Sequence, residues 1–178
     1  MPTDLGVLDP TEIRFFSGSS NRPLAEAIAN YLHVPLDETR ISRFSNGNLY
    51  IQLDASVRSR VVFIMQTLAP PANDHLMELL MMLDIARSAA AKEIHAIIPY
   101  YSFARSDKKD APRISITARL VADLLRTAGA THVMTMTLHS PQVHGFFSVP
   151  TDPLTARFAF TEYFKARDLS SAILVTSP

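Results

Sequence analysis

Five consecutive apolar residues, Val61-Val62-Phe63-Ile64-Met65, stand between Arg60 and Gln66. A strand of this composition has no polar face, so both of its faces must be covered, as in the centre of a parallel sheet. The rest of the chain repeats the theme of short apolar runs alternating with amphipathic stretches. Ile13 to Ser17, Ile94 to Pro99, His132 to Met136 and Ala172 to Thr176 read as further strands. Leu49, Ile51 and Leu53 alternate with Tyr50 and Gln52, the pattern of a half-exposed strand. Arg22 to His33 reads as a helix, with Asn21 as N-cap and Pro23 in its first turn. Asp74 to Ala91 is a long amphipathic helix with Leu76, Leu79, Leu80 and Leu83 on one side. Ser115 to Ala128 is a helix stopped by Gly129, and Thr155 to Arg167 is a fourth. This alternation predicts an α/β fold: an open, mainly parallel sheet with helices on both faces.

Length and charge limit what such a fold is for. A chain of 178 residues makes one α/β domain, or one domain and part of a second. Lys and Arg number 17 and Asp and Glu number 17, so the net charge is zero, which argues against a general nucleic-acid binder. The absence of Cys excludes disulfides, thiolate catalysis and Cys-based zinc sites. No apolar run reaches the length of a membrane span, and the first ten residues carry neither a basic n-region nor an apolar h-region, so a soluble cytoplasmic protein is the default expectation. The expected division is an N-terminal extension at 1–12, a domain at 13–147, and a linker with the start of an incomplete second domain at 148–178. The boundary is placed at Ser148 to Pro153, where SVPTDP carries two prolines. The sequence stops at Pro178, just after the last expected strand, where an α/β fold places a ligand loop.

Three segments carry chemistry. Arg43-Phe44-Ser45-Asn46-Gly47-Asn48 lies between two candidate strands, and Asn-Gly is a strong hairpin signal. By itself the segment reads as a turn; a binding role requires Phe44 exposed as a stacking face beside polar side chains. The second segment, Tyr100 to Arg113, follows the strand ending at Pro99 and carries Arg105, Lys108, Lys109 and Arg113 among several aromatics. Cations of this kind clamp phosphate oxygens, and Arg also stacks on bases. The same composition fits a solvated charged loop. The third, Thr137 to Asp152, follows the strand ending at Met136. His139 at that exit fits a metal or phosphate contact, although a lone His is more often structural. Phe146 and Phe147 fit packing or an interface. A weaker pattern, Ser56-Val57-Arg58, pairs a hydroxyl with a guanidinium, which together could bind an anion. Among five glycines there is no GxGxxG fingerprint and no P-loop.

Taken in order, RFSNGN, NDHLMEL (Asn73 to Leu79), FARSDKKD and TLHSPQVHGFFSVPTD resemble the ribose-phosphate diphosphokinase (phosphoribosyl pyrophosphate synthetase) family from about Ile13 to Pro178. The resemblance implies two stacked phosphoribosyltransferase-type domains, assembled as dimers into hexamers. It implies attack of the anomeric hydroxyl of ribose 5-phosphate on the β-phosphorus of ATP, with release of AMP and with Mg2+ bridging the phosphates. Phe44, Asn46 and Asn48 would contact the adenine of ATP on a neighbouring subunit. Arg105, Ser106, Asp107 and Lys108 would lie on the nucleotide within the same subunit. His139 and Asp152 would help hold Mg2+, and Ser56 and Arg58 would bind an effector phosphate or ADP at a subunit interface. Asn48, Ser106 and Thr137 stand where the family pattern has Glu, Gln and Asp, and His144 where Gln is usual. The family's catalytic Lys/Arg loop and acidic ribose-5-phosphate loop belong to sequence after Pro178, so no catalytic residue is expected within this stretch. The losses at 48, 106 and 137 keep an alternative open: a non-catalytic homologue that joins a hetero-assembly with active relatives and regulates them.

Overall fold

The computed structural model describes residues 10–168 and 170–171. The strand expected at Ala172 to Thr176, the end of the chain and most of the N-terminal extension lie outside these residues. Five parallel strands form one sheet: β1 (Ile13–Ser17), then β4 (Val61–Met65), β5 (Glu93–Ile98), β6 (His132–Met136) and β7 (Thr151–Leu154), neighbours in that order. Between β1 and β4 the chain forms helix α1 (Arg22–Leu32) and a separate antiparallel hairpin of β2 (Thr39–Arg43) and β3 (Leu49–Leu53). Helix α2 (Ala72–Ser88) joins β4 to β5, α3 (Thr117–Ala128) joins β5 to β6, and α4 (Arg157–Lys165) follows β7.

The apolar run β4 is an interior strand, between β1 and β5, and both of its faces are covered, as its composition requires. Ala25 and Ala29 of α1 cover one face with Phe15 and Met65. On the other face, Leu79, Met82 and Leu83 of α2 and Val121 and Leu125 of α3 pack on Phe16, Ile64, Ile98 and Val133. The expected helix signals act as read: the Asn21 side chain accepts from Leu24 N at 3.2 Å, and Gly129 closes α3. None of the helices among the described residues is long and apolar enough to cross a membrane.

One element departs from expectation. The proline-rich stretch Ser148 to Pro153, read as a linker, contributes β7, with Met134 opposite Asp152 and Thr135 opposite Pro153. Proline hides a strand from sequence reading because it donates no ladder hydrogen bond, and an edge strand is where it is tolerated. β7 is that edge.

On the α1 side, four titratable groups run across β5, β6 and β7. His95 Nε2 lies 3.2 Å from Glu93 Oε2, His95 Nδ1 lies 3.1 Å from His132 Nδ1, and His132 Nε2 lies 3.1 Å from Asp152 Oδ2. The His95 ring stacks on Phe63 with centroids 4.5 Å apart. Burial holds the His95 imidazole below the ordinary histidine range, although the Glu93 carboxylate works against it. The unfolded chain therefore binds this proton more readily. The stability is present above about pH 6.5 and is lost as the pH falls toward the lower folded value. We expect His95→Gln to flatten the dependence of the urea midpoint between about pH 7.5 and about pH 5.5. An unchanged slope would assign it to another group.

Candidate functional site

In a parallel sheet the loops at the carboxyl ends of the strands gather on one edge. Here the loops after β5 and β6 enclose a cavity of ≈ 190 Å³ bordered by Tyr100, Ser102, Arg105, Thr137, Leu138 and His139. The structure thus brings Arg105 and His139, widely separated in sequence, to one cavity. The base of the β5 loop is rigid. Tyr101 is buried, donates its hydroxyl to Ala118 O at 2.8 Å, and packs its ring 5.6 Å from that of Phe147. Burial pushes the Tyr101 phenol well above its ordinary value, so it stays neutral.

Above that base the loop sorts its side chains by charge. Arg105, Lys108, Lys109 and Arg113 are exposed, and none of them makes an ion pair among the described residues. Asp107, in their midst, is buried and accepts a hydrogen bond from Gln142 Nε2 at 3.0 Å. Ser106 is half-buried: its hydroxyl donates to Ser115 O at 3.0 Å and accepts from Thr117 N at 3.2 Å. Ser106 therefore supplies the side-chain cap that α3 does not obtain from Ile116.

Thr137 borders the cavity in an uncommon conformation. Its φ is +51°, in the left-handed region that a β-branched residue rarely adopts. Its N–H donates to Leu154 O at 2.7 Å, and its hydroxyl accepts from Ala156 N at 3.4 Å. Together these bonds tie the exit of β6 to the end of β7. Asp152 is not at this edge: it pairs in register with Met134 inside the sheet and faces His132. His139 and Asp152, the two expected magnesium ligands, are thus placed in different surroundings. Among the described residues no group of three or more His, Asp or Glu side chains converges on a metal position. His139 is exposed and Thr137 offers a neutral hydroxyl, a weak donor for a hard cation. The residues present do not fit a protein-held magnesium, and no chemical step is assigned to one.

The other expected contacts lie elsewhere. Phe44, Asn46 and Asn48 occupy the tip of the β2–β3 hairpin and do not line the cavity. Gly47 takes a φ of +86°, the turn geometry that Asn-Gly supplies, and Asn46 Oδ1 accepts from Asn48 N at 3.0 Å. Phe44 is 58% exposed and meets Tyr50 edge-on at 6.0 Å, so one aromatic face is open to solvent. Arg43 reaches Asp74 of α2 at 2.8 Å, which anchors the hairpin to the body of the domain. Ser56 and Arg58 precede β4 and so lie at the opposite edge of the sheet, where Ser56 O accepts from Arg14 Nε at 3.2 Å.

One buried network on the carboxyl edge escaped sequence reading. Glu78 of α2 is buried with no cation beside it among the described residues; its carboxylate accepts from Ser19 N (3.1 Å), from Ser19 Oγ (2.7 Å) and from Gln66 Nε2 (2.7 Å). Gln66 Oε1 in turn accepts from Ser20 N at 3.1 Å and Ser20 Oγ at 2.6 Å. The network joins the loops after β1 and β4. Its signal in the sequence is an acid one helical turn before Met82, on the apolar stripe of α2.

Comparison with known proteins agrees with this architecture. Residues 13–129 match the family model for the N-terminal domain of ribose phosphate pyrophosphokinase. The chain is 58% identical over 150 residues to a ribose-phosphate pyrophosphokinase of Deinococcus radiodurans, covering 84% of this chain and 47% of that protein. It is 56% identical over 165 residues to a putative ribose-phosphate pyrophosphokinase of Streptomyces coelicolor, covering 93% and 52%. The crystal structure of phosphoribosylpyrophosphate synthetase from Mycobacterium smegmatis superposes with a TM-score of 0.82 at 40% identity, over 85% of this chain and 51% of that one. The chain spans about half the length of these relatives. With two thirds of its residues matched by the family model and its sheet shared with a solved member, it belongs to the ribose-phosphate pyrophosphokinase family, of which it carries the N-terminal domain.

Proposed function

We propose that the chain is the nucleotide-holding part of a ribose-phosphate pyrophosphokinase, which transfers diphosphate from Mg-ATP to ribose 5-phosphate. Residues 13–147 together with the edge strand β7 would form its first domain, and the residues after β7 the passage to a second. The observation that carries this reading is the cavity at the exits of β5 and β6, lined by both Arg105 and His139, with Arg105 on a loop whose further cations Lys108, Lys109 and Arg113 are exposed and make no ion pair among the described residues. A triphosphate is a dense anion, and a fixed guanidinium beside further ammonium groups is the chemistry that recognises it. Phosphoryl-type transfer is achieved mainly by positioning and by charge stabilisation, so cations on a rigid loop are a contribution to catalysis as well as to binding. The exposed Phe44 supports a second contact: the hairpin tip would stack on the adenine held by a neighbouring copy, with Asn46 and Asn48 beside it. Magnesium would arrive on the nucleotide, whose phosphate oxygens and waters supply its ligands.

The test is calorimetric titration of the chain with Mg-ATP. Arg105→Ala is expected to weaken binding at least about tenfold, the loss of one charge-assisted contact. Equal affinity in the variant, or no affinity in the parent chain in the millimolar range, removes the assignment. Thr137, neutral where the family pattern carries a carboxylate, favours a second reading, a regulatory homologue without turnover of its own. That reading predicts co-purification with a full-length active relative and no release of AMP by this chain alone.

A further inference from the structure

We propose that Asp107 is a positioning residue, whose carboxylate locks the cationic loop after β5 to the histidine loop after β6 by accepting the Gln142 hydrogen bond, and that it makes no contact with nucleotide. The inference rests on reading the Arg105–His139 cavity as the nucleotide site. Asp107 is 8% exposed while Arg105, Lys108 and Lys109 around it are exposed. Among the charged residues of this loop, Asp107 alone is buried. A buried carboxylate is costly unless hydrogen-bonded, and Gln142 Nε2 at 3.0 Å is its side-chain partner among the described residues. Gln142 is well placed to hold it, because the adjacent Val143 is fully buried and anchors the turn Pro141–Phe146 in the core. His139 lies three residues before Gln142, and Arg105 two before Asp107. The bond therefore joins the two loops that carry Arg105 and His139 to the cavity.

Electrostatics favours the inward orientation. A carboxylate facing the cavity would repel a triphosphate and weaken the field of the neighbouring cations. Turned inward, it keeps the loop closed while Ser106 secures the same loop to α3. Two of the residues expected from sequence to touch nucleotide, Ser106 and Asp107, thus hold the loop that would present Arg105 and Lys108 to it.

The test separates hydrogen bonding from charge. Asp107→Ala and Gln142→Ala are each expected to raise amide hydrogen exchange at least about tenfold in both residues 102–115 and residues 137–147 of the free chain. The double variant should add little, because both changes break one bond. Asp107→Asn retains an oxygen that accepts from Gln142, so it should restore parental exchange and parental Mg-ATP affinity, while Asp107→Ala weakens that affinity. An Asp107→Asn variant that binds Mg-ATP as poorly as Asp107→Ala, with exchange unchanged, would overturn the proposal by showing that the charge meets the ligand. So would an exchange increase confined to residues 102–115. A parent chain with no Mg-ATP affinity would remove the nucleotide reading only, and the exchange measurements would still decide whether Asp107 couples the loops.

Discussion

Gly18→Ala is expected to destabilise the fold by about 2–3 kcal/mol, far more than adding a methyl group costs on a surface loop. Gly18 follows β1, and its N–H donates to Met65 O at 2.9 Å, so its backbone lies against the end of β4. A Cβ there would stand 2.5 Å from Gln66 Cδ, well inside van der Waals contact. Such a clash is harmless when the opposing side chain can swing away. Gln66 cannot: it is fully buried, its oxygen holds Ser20, and its nitrogen donates to Glu78 and, at 3.3 Å, to His75 O. Moving it strips a donor from the buried Glu78 carboxylate, which has no cation to compensate among the described residues. Urea unfolding checks this through the midpoint at constant slope. A loss below about 0.5 kcal/mol would mean that the network yields without breaking.

The fate of Glu78 illustrates what was legible in the sequence and what was not. Element types follow from periodicity, so the strand at Val61–Met65, the capped helix after Asn21 and the stop at Gly129 could be read directly. Pairing could not. β7 carries a proline that lowers its strand signal, and only its place at the sheet edge explains why it forms. The site divides in the same way. The cluster of cations after β5 and the histidine after β6 were visible as composition, and the rule that ligands gather at strand exits placed them on one edge. Which members of that cluster face outward depends on long-range partners. Gln142 captures Asp107, Ser115 and Thr117 capture Ser106, and His132 captures Asp152. All three were expected to touch nucleotide or metal because a motif assigns roles by position. Each has, in the structure, a protein partner that no local pattern announces.

Thr137 is where local strain and lost charge coincide, and two substitutions pull them apart. With φ at +51°, an L-residue bears a cost of about 1–2 kcal/mol, which β-branching does nothing to relieve. Thr137→Gly should therefore raise stability by about 1 kcal/mol, provided the backbone bond to Leu154 O keeps the conformation in place. Thr137→Asp does more. Aspartate tolerates this region better than threonine, and it would place a carboxylate on the cavity wall two residues before His139. The expected result is Mg2+ binding at least about tenfold tighter than in the parent chain, equivalent to about 1.4 kcal/mol, seen as a magnesium-dependent rise in Tm. The glycine variant should gain stability with no magnesium response, because it relieves the backbone without adding a ligand. If Thr137→Gly were less stable than the parent, the hydroxyl bond from Ala156 N and the extra freedom of the unfolded chain would outweigh the relief of the left-handed geometry. If Thr137→Asp gave no magnesium response, position 137 would not face the cation, and the missing carboxylate would cease to be a reason for reading this chain as a regulatory homologue.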